Sequence, residues 1–392
     1  MTAFQKRSDY LPFSKPTIGD EEIAEVADSM RSGWLTTGPK TQRFAEAFKN
    51  YIGCKYAVPL NSATAGLHVA YIAAGARPFD EIVTSAMTFA STANTILHAG
   101  AKPVLADIEV ETLNVSPDTL KAVFSPATRI IVPVHFAGLP CDMDPILKLA
   151  RERNAIVIED AAHAVGAQYK GRKIGTIGDM TVFSFHPNKN MTTGEGGMVA
   201  GNDEQYREQL ELLSFHGMNK NAWKRFSATG TPHYAIDIPG FKYNMLDIQA
   251  AIGLHQLVKI DAFNRRRAEL VKRYYEAFSG IEELGLTKKP SYEHLHAWHL
   301  FAPLVRSEKL KIDRDGFMQA LKELNIGTGV HYRAVHMHPL YEKLGFRRGQ
   351  FPKAEYVSDR IVSLPLFPSM TEKDQEDVIA AVKQVIAKNL NK

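Results

Sequence analysis

The chain has few cysteines and no long apolar run, and each of these absences excludes a class of protein. Its 392 residues include only two cysteines, Cys54 and Cys141. These are too few for a disulfide framework and lack metal-ligand spacing, so we expect a reducing compartment. No stretch approaches the roughly 20 apolar residues that a membrane-spanning helix needs, and residues 1–10 lack a signal peptide's apolar segment. The composition predicts a soluble, cytoplasmic protein without a membrane partner.

The charge also has no strong bias of either sign. The chain carries 47 Lys and Arg against 43 Asp and Glu, a net charge of +4, and only residues 265–267 form a basic run. No nucleic-acid partner is therefore expected, although a slight basic excess suits an anionic substrate. Because 392 residues are long for one compact domain, we predict two domains, residues 1–264 and residues 265–392.

Short apolar runs alternate with helical patterns between residues 56 and 199. This alternation predicts an α/β fold with a mostly parallel sheet covered by helices. Two helices are predicted outside that region, at 21–32 and 247–278. The loop 32–39, which follows the first of them, is either a surface connection or a lid. The predicted strands are 56–60, 81–84, 103–106, 128–133, 155–158 and 181–185.

One lysine, Lys189, lies between an apolar strand pattern and the glycine-rich turn 194–197. An amine that forms a Schiff base must stand on rigid backbone that a cofactor can approach closely. Upstream, the apolar run 155–158 leads into Asp160, as an acid at the carboxyl end of a strand would. Pyridoxal 5′-phosphate (PLP) uses this pairing of a Schiff-base lysine with an acidic partner of its ring nitrogen.

Residues 61–68 follow the first strand and place small and hydroxyl side chains at the start of a helix. Free N–H groups and the helix dipole favour a phosphate there, although ordinary capping by Ser62 or Thr64 explains the pattern equally well. The sequence contains no Gly-x-Gly-x-x-Gly fingerprint and no P-loop. A single phosphate therefore fits better than a dinucleotide.

Other candidate residues each have two interpretations. Phe89 either stacks on a planar cofactor or packs in the core, and His163 is either a packing histidine or a partner of the cofactor's ring hydroxyl. The histidines of residues 331–338 favour substrate contacts over a metal site, because flanking carboxylates and helical His-x-x-x-His spacing are not clear. Arg333 and Lys242 are surface charges or partners of an anionic substrate group. No metal is expected.

Taken in order, these motifs resemble the DegT/StrS family of PLP-dependent sugar aminotransferases, within the aspartate-aminotransferase (fold-type I) superfamily. The resemblance runs essentially end to end. It implies a large PLP-binding domain with a mostly parallel seven-stranded sheet, preceded by an N-terminal arm and followed by a smaller C-terminal α+β domain. The motifs that carry it are residues 35–39, 62–66, 159–164, 184–189, 194–197 and 331–332.

The resemblance also implies roles for individual residues. Lys189 would hold PLP as a Schiff base, and Asp160 would keep the pyridine nitrogen protonated. The other implied cofactor contacts are Ala63, Thr64 and Ser184 for the phosphate, Phe89 and His163 for the ring, and Asn244 from the other subunit of a homodimer. The implied substrate contacts are Trp34, Thr36, His331, Tyr332, Arg333 and His336.

The implied reaction is a transfer of an amino group from L-glutamate to a keto sugar, with pyridoxamine phosphate carrying the group between the two half-reactions. Motifs at 31–40, 240–244, 296–301 and 363–368 are similar to those of enzymes that make UDP-4-amino-4-deoxy-L-arabinose. They favour a 4-keto sugar nucleotide, of the UDP-4-keto-arabinose type, used for cell-surface polysaccharide or lipopolysaccharide biosynthesis.

Three alternatives remain open at this stage. The acceptor could be a free acidic keto sugar such as 8-oxo-3-deoxy-octulosonate, which would give 8-amino-Kdo. Some members of the fold instead dehydrate keto sugars with a histidine in place of the lysine, and Lys189 argues against that chemistry. A non-enzymatic PLP-binding regulator is a third interpretation, although no helix-turn-helix appendage is evident.

Overall fold

The computed structural model describes residues 4–218 and 234–391, and a seven-stranded sheet forms its centre. In spatial order the sheet is β1-β9-β8-β5-β4-β2-β3; β9 runs antiparallel to β1 and β8, and the other neighbours are parallel. The mostly parallel α/β sheet is confirmed. The strands are β1 Tyr56–Leu60, β2 Glu81–Ser85, β3 Lys102–Ala106, β4 Thr128–Val132, β5 Ile156–Asp160, β6 Gln168–Tyr169, β7 Arg172–Lys173, β8 Met180–Ser184, β9 Gly197–Gly201, β10 Leu284–Gly285, β11 His294–Leu295 and β12 Leu304–Val305.

Helices cover both faces of this sheet and build the C-terminal third of the chain. The predicted helix 247–278 is found with those bounds, and the helix predicted at 21–32 begins one residue earlier. The helices are α1 Asp20–Ser32, α2 Pro39–Ile52, α3 Ala63–Ala73, α4 Ala90–His98, α5 Pro117–Lys121, α6 Met143–Glu152, α7 Glu204–Ser214, α8 Asp247–Phe278, α9 Arg314–Glu323, α10 Pro339–Lys343, α11 Pro352–Ser358 and α12 Glu372–Lys388.

The six predicted strands match six strands of the sheet to within two residues at either end. The largest difference is at β5, which extends through Asp160 because its backbone continues the ladder: Asp160 N–H donates to the Pro133 carbonyl at 2.9 Å, and His135 N–H donates to the Asp160 carbonyl at 3.0 Å. The seventh strand, β9, was not predicted. It begins and ends in glycine, and glycine is depleted in strands.

Two hydrophobic regions meet along the long helix α8. Its first half contributes Ala250, Leu257 and Ile260 to the core that surrounds the sheet. Its second half contributes Leu270 and other residues to a separate cluster built with α9 and α12. The boundary expected at residue 265 falls inside this helix, and the division into 1–264 and 265–392 stays a prediction.

Helix α8 also fixes the N-terminal helices, since it packs against both α1 and α2. A Cβ at Gly253 would lie 2.7 Å from the Phe44 ring, so the close approach of α8 to α2 requires glycine there. None of the helices in the described parts of the chain combines the length and the apolar character that crossing a bilayer requires.

Candidate active site

A cavity of about 260 Å³ lies where several parallel strands end. Its walls come from segments that follow β1, β2, β4, β5 and β8 and from the C-terminal loop at 331–332. The carboxyl edge of an open α/β sheet is the usual place for a ligand site. Nine of the expected cofactor and substrate contacts line this cavity: Ala63, Thr64, Phe89, Asp160, His163, Ser184, Lys189, His331 and Tyr332.

Asp160 is the last residue of β5, and its side chain is held from two sides. Thr92 Oγ1 donates to Asp160 Oδ2 at 2.7 Å, and Ala162 N–H donates to Oδ1 at 3.1 Å. Burial raises the pKa of Asp160, while these two hydrogen bonds and the charge of Lys189 oppose that rise. The result is an oriented acid in a low-dielectric site, which suits a cationic partner.

Lys189 stands in the loop after β8, and its backbone N–H donates to the His186 carbonyl at 2.9 Å. Burial lowers the pKa of Lys189 to about 8, although the charge of Asp160 works against the fall. An amine with this pKa is partly neutral near pH 7. Only the neutral amine can attack an aldehyde or accept a proton, so the surroundings prepare Lys189 for both tasks.

The start of α3 offers backbone donors in the wall of the cavity. Ser62 caps the helix, because its Oγ accepts from Ala65 N–H at 3.1 Å. The first N–H groups of a helix have no acceptor within it, and Ala63 and Thr64 line the cavity. A Cβ at Gly197 would lie 2.5 Å from Ala63 N, so glycine allows β9 to pass this helix end closely. The capping and phosphate interpretations of this motif are compatible.

These features together fit the chemical parts of PLP. The cavity provides an amine for its aldehyde, a carboxylate for its ring nitrogen and a helix end for its phosphate. Ser184, which is buried, adds a hydroxyl to the lining of the same cavity. Phe89 does not pack in the core: 58% of it is exposed, and it borders the cavity, where a planar ring has access to it.

His163 is buried between the cavity and the segment after β4. Its Nδ1 accepts from Ala137 N–H at 3.2 Å, and its Nε2 lies 2.9 Å from Tyr332 Oη. The ring of His299 packs on it, with the two centroids 4.3 Å apart. Burial, with the nearby charges of Lys189 and His331, lowers the pKa of His163 well below its ordinary value. The ring is therefore neutral at physiological pH.

Three of these partners were missed in the sequence: Thr92, Ala137 and His299. A signal existed for Thr92, because Thr88 and Thr92 are four residues apart around the start of α4, and their hydroxyls lie 2.8 Å apart. Thr92 therefore links the cavity wall to Asp160. Ala137 takes part through its backbone N–H, so no side-chain pattern in the sequence could identify it. His299 packs on His163 but follows it by more than a hundred residues in the sequence, so no local pattern could pair the two.

The C-terminal loop brings two of its four predicted substrate contacts to the cavity. His331 Nδ1 lies 2.8 Å from Ser363 Oγ, and burial together with the charge of Lys189 lowers the pKa of His331 to about 4. Arg333 and His336 do not line the cavity, and their role as substrate contacts stays a prediction. Arg333 is exposed and donates to the Met337 carbonyl at 2.6 Å.

His336 is fully buried and faces away from the cavity. Its Nε2 lies 2.9 Å from Glu355 Oε1 in α11, and the Phe351 ring packs beside it. Residues 335–337 form a single helical turn, and His336 is not among the residues that line the cavity. His336 therefore belongs to the packing of the C-terminal region.

Trp34, Thr36 and Asn244 lie together on a different surface of the chain. Trp34 Nε1 donates to the Thr37 carbonyl at 3.1 Å, and Asn244 Nδ2 donates to Thr37 Oγ1 at 2.6 Å. The Thr36 carbonyl accepts from Asp247 N–H at 3.1 Å, so the loop is anchored to the start of α8. Thr37 and Asn244 line a second cavity of about 840 Å³. Within one chain, the structure does not bring these three residues to Lys189.

Comparisons with known proteins agree with this site. Residues 16–383 match the model of the DegT/DnrJ/EryC1/StrS aminotransferase family. The spore coat polysaccharide biosynthesis protein SpsC of Bacillus subtilis is 49% identical over 384 residues, which are 97% of this chain and 98% of that protein. An uncharacterized protein of Methanocaldococcus jannaschii is also 49% identical, over 98% of this chain and 99% of its own.

The fold agrees as well. A Streptococcus pneumoniae protein described as a sugar aminotransferase, Spr1654, was solved in a PLP form and superposes with a TM-score of 0.89 at 32% identity, covering 97% of this chain and 99% of that chain. The fold is thus that of the fold-type I PLP-dependent enzymes, and the cofactor is PLP. The chain belongs to the DegT/DnrJ/EryC1/StrS aminotransferase family and is a PLP-dependent sugar aminotransferase.

Proposed function

We propose that the enzyme transfers the amino group of L-glutamate to a 4-keto sugar nucleotide that is used to build a cell-surface polysaccharide. The observation that carries the reaction type is the presence of Lys189 and Asp160 in one cavity, with the pKa of Lys189 lowered to about 8. Similarity at 31–40 and 296–301 to enzymes of UDP-4-amino-4-deoxy-L-arabinose synthesis supports the nucleotide. The name of the Bacillus relative SpsC supports the polysaccharide.

Bound PLP supplies an electron sink that stabilises negative charge at the reacting carbon. Asp160 Oδ1 or Oδ2 would keep the cofactor nitrogen protonated, and the hydrogen bonds from Thr92 and Ala162 orient the carboxylate for this purpose. The N–H groups of Ala63 and Thr64 and the hydroxyl of Ser184 would bind the phosphate. Phe89 would cover one face of the ring. Each of these contacts positions the cofactor without moving a proton.

Lys189 would move the proton. In the first half-reaction, its Nζ would take the α proton of glutamate and pass it to the cofactor. In the second half-reaction, it would take a proton back from the cofactor and deliver it to the sugar carbon that receives the amine. With a pKa of about 8, roughly one amine in ten is neutral at pH 7. A single tethered group can therefore serve as base and as acid in turn.

One observation favours a second candidate substrate, a free acidic keto sugar such as 8-oxo-3-deoxy-octulosonate. Among the described residues that line the Lys189 cavity there is no arginine, and Arg333 is directed elsewhere. A diphosphate is usually met by several cationic donors, whereas one carboxylate needs fewer. The acceptor panel described below separates the two candidates.

We also propose a cytoplasmic homodimer in which Asn244 of one subunit reaches the cofactor site of the other. The support is geometric, because Asn244, Trp34 and Thr36 share a surface away from the Lys189 cavity of their own chain. Light scattering of the purified protein should give twice the mass of one chain. A fully active monomer would contradict the proposal.

The test of the reaction is the absorbance of the PLP-loaded enzyme, recorded before and after L-glutamate and then with single keto sugars. Glutamate should remove the band of the lysine-bound cofactor, and one class of sugar should restore it. Restoration by a UDP-linked 4-keto sugar supports the proposal. Restoration by a free acidic keto sugar alone identifies the second candidate, and an unchanged spectrum with glutamate contradicts the donor.

A further inference from the structure

A third cavity, of about 450 Å³, lies where the loop after β4, helix α8 and residues 286–303 meet. Small-molecule sites in proteins typically measure about 300–1,000 Å³, so this volume is large enough for a ligand. None of the described residues that line this cavity also lines the Lys189 cavity. The proposed transamination therefore gives no role to this space, which we call the Trp298 cavity.

Aromatic rings supply much of the wall of the Trp298 cavity. The rings of His296 and Trp298 are stacked, with their centroids 3.6 Å apart and their planes at 9°. The Tyr275 ring meets the Trp298 ring edge-on, with 6.1 Å between centroids. Phe136 and Phe301 also line the cavity. Aromatic side chains hold planar rings by stacked or edge-on contacts, so this wall suits a ligand that contains an aromatic ring.

His296 adds a hydrogen-bond donor to the same wall. Trp298 N–H donates to His296 Nδ1 at 2.9 Å. Burial, with the neighbouring His294, lowers the pKa of His296 well below its ordinary value, so the ring is neutral. A neutral imidazole carries one proton, which must then be on Nε2. In the parts of the chain that the structure describes, Nε2 has no acceptor. A polar atom of a bound ring can therefore accept from it.

The charged side chains of this lining are cationic. Among the described residues that form it, Lys288 and Lys289 are present and no Asp or Glu is. Lys288 Nζ lies 3.6 Å from Glu111 Oε1, an exposed ion pair of little strength. Lys289 is exposed and has no ion pair within 4–218 and 234–391. Two adjacent ammonium groups suit a phosphate monoester, whose charge is about −1.5 to −2 at pH 7.

We propose that the Trp298 cavity is a second ligand site, which binds a planar ring that carries a phosphate monoester. The ring lies against His296 and Trp298 and accepts a hydrogen bond from His296 Nε2, and the phosphate meets Lys289 at the rim. Nucleoside monophosphates and pyridoxine 5′-phosphate share this chemistry. The proposal goes beyond the proposed function and does not depend on which sugar is aminated.

Isothermal titration calorimetry of the PLP-loaded enzyme tests the chemistry of the ligand. The probes are UMP and pyridoxine 5′-phosphate, and their fragments uridine, pyridoxine and inorganic phosphate are titrated beside them. At least one probe should bind with a Kd below about 1 mM, and its fragments should bind at least about tenfold more weakly. The probe that binds more tightly identifies the source of the ligand. Equal binding by a fragment, or no binding by either probe, would overturn the proposal.

Two variants test where the probe binds. Ala268 is half-buried on α8 and lines the cavity, so Ala268→Leu fills part of the space and should raise the Kd at least about tenfold. Ala262→Leu, at an exposed position of the same helix outside the lining, is its control. Lys289→Ala should raise the Kd about 3- to 10-fold. Its control is Lys322→Ala, at an exposed position of α9.

The same variants distinguish this site from the Lys189 cavity. The absorbance of the lysine-bound cofactor and the rate of the half-reaction with the amino donor should stay within about twofold in Ala268→Leu and Lys289→Ala. Unchanged probe binding in both variants, or parallel loss of probe binding and of the half-reaction, would overturn the proposal.

If Ala268→Leu does not fold, Lys289→Ala decides, because that side chain is exposed. Absence of transamination with every keto sugar would leave the binding result intact, so the two failures are distinguishable.

Discussion

Glu159 and Asp160 are consecutive carboxylates at the end of β5, and both are buried, yet their surroundings differ. On one face of the strand, both oxygens of Glu159 are occupied: Oε1 accepts from Gly178 N–H at 2.7 Å and Thr181 Oγ1 at 2.8 Å, and Oε2 lies 2.8 Å from His135 Nε2. On the other face, Asp160 has two hydrogen bonds and borders the cavity.

The comparison shows how a structural acid differs from one that is proposed to bind a cofactor. Cys141 N–H donates to His135 Nδ1 at 3.0 Å, so the His135 proton lies on Nε2 and is donated to Glu159. The protein thus satisfies Glu159 completely. Asp160 keeps capacity for one more donor, at a position where a cofactor's ring nitrogen can approach. Burial alone does not separate the two residues; the completeness of their hydrogen bonding does.

The largest effect on activity is expected from Lys189→Ala, in the cavity that Asp160 borders. The variant lacks the only lysine among the described residues that line the cavity, and with it both the proposed nucleophile and the proposed base. Turnover should fall by at least about 10³-fold, while circular dichroism and the melting temperature stay close to those of the unmodified protein. Lys170→Ala, at a surface ion pair with Asp144, is the control. Appreciable transamination by Lys189→Ala would remove Lys189 from the reaction.

Asp160→Asn should affect activity far more than stability. An amide cannot hold a positive charge on the cofactor nitrogen, so kcat/KM should fall about 10²- to 10³-fold. Burial raises the pKa of the native carboxyl, because the negative charge is unfavourable in a buried site. Replacing the charged carboxylate by a neutral amide should therefore leave the melting temperature equal or higher. A variant that is active but unstable would reverse the comparison.

Glu159→Gln should show the opposite pattern. The amide NH₂ would point at one or more of the N–H and O–H groups that now donate to the carboxylate. Because two donors cannot bond to each other, these buried donors would be left unpaired. The free energy of unfolding, measured by denaturant titration, should fall by about 2–4 kcal/mol. The kcat/KM of the folded fraction should change little. A large loss of kcat/KM without loss of stability would mean that Glu159 also serves the reaction.

The smallest effect should follow Thr92→Val, which removes one donor to Asp160. A hydrogen bond to a carboxylate favours its charged form, so its loss raises the pKa of Asp160 further. PLP affinity should therefore fall by about tenfold, and more at pH 6 than at pH 8, because the acid form gains population as the pH falls. Thr95→Val is the matched control, since Thr95 Oγ1 donates to backbone carbonyls of its own helix. Equal losses at both pH values would contradict this account.

The sequence alone determined the elements and residues whose signals are local. The 3.6-residue apolar period gave the bounds of α8, and apolar runs between turns located six strands. Lys189 and Asp160 could be recognised because each lies at the end of such a run, where the carboxyl edge of a parallel sheet collects functional side chains. The glycines at 194–197 and the small residues at 62–66 added local backbone chemistry.

Only the tertiary structure decided which residues meet. Thr92 and Asp160 are 68 positions apart, and His163 and Tyr332 are 169 apart, so no local pattern could pair them. Local sequence also could not separate His331 from His336, two histidines of the same segment. His331 lines the cavity, whereas His336 packs against α11 and pairs with Glu355. Side-chain direction depends on contacts between distant segments, and those contacts exist only once the chain has folded.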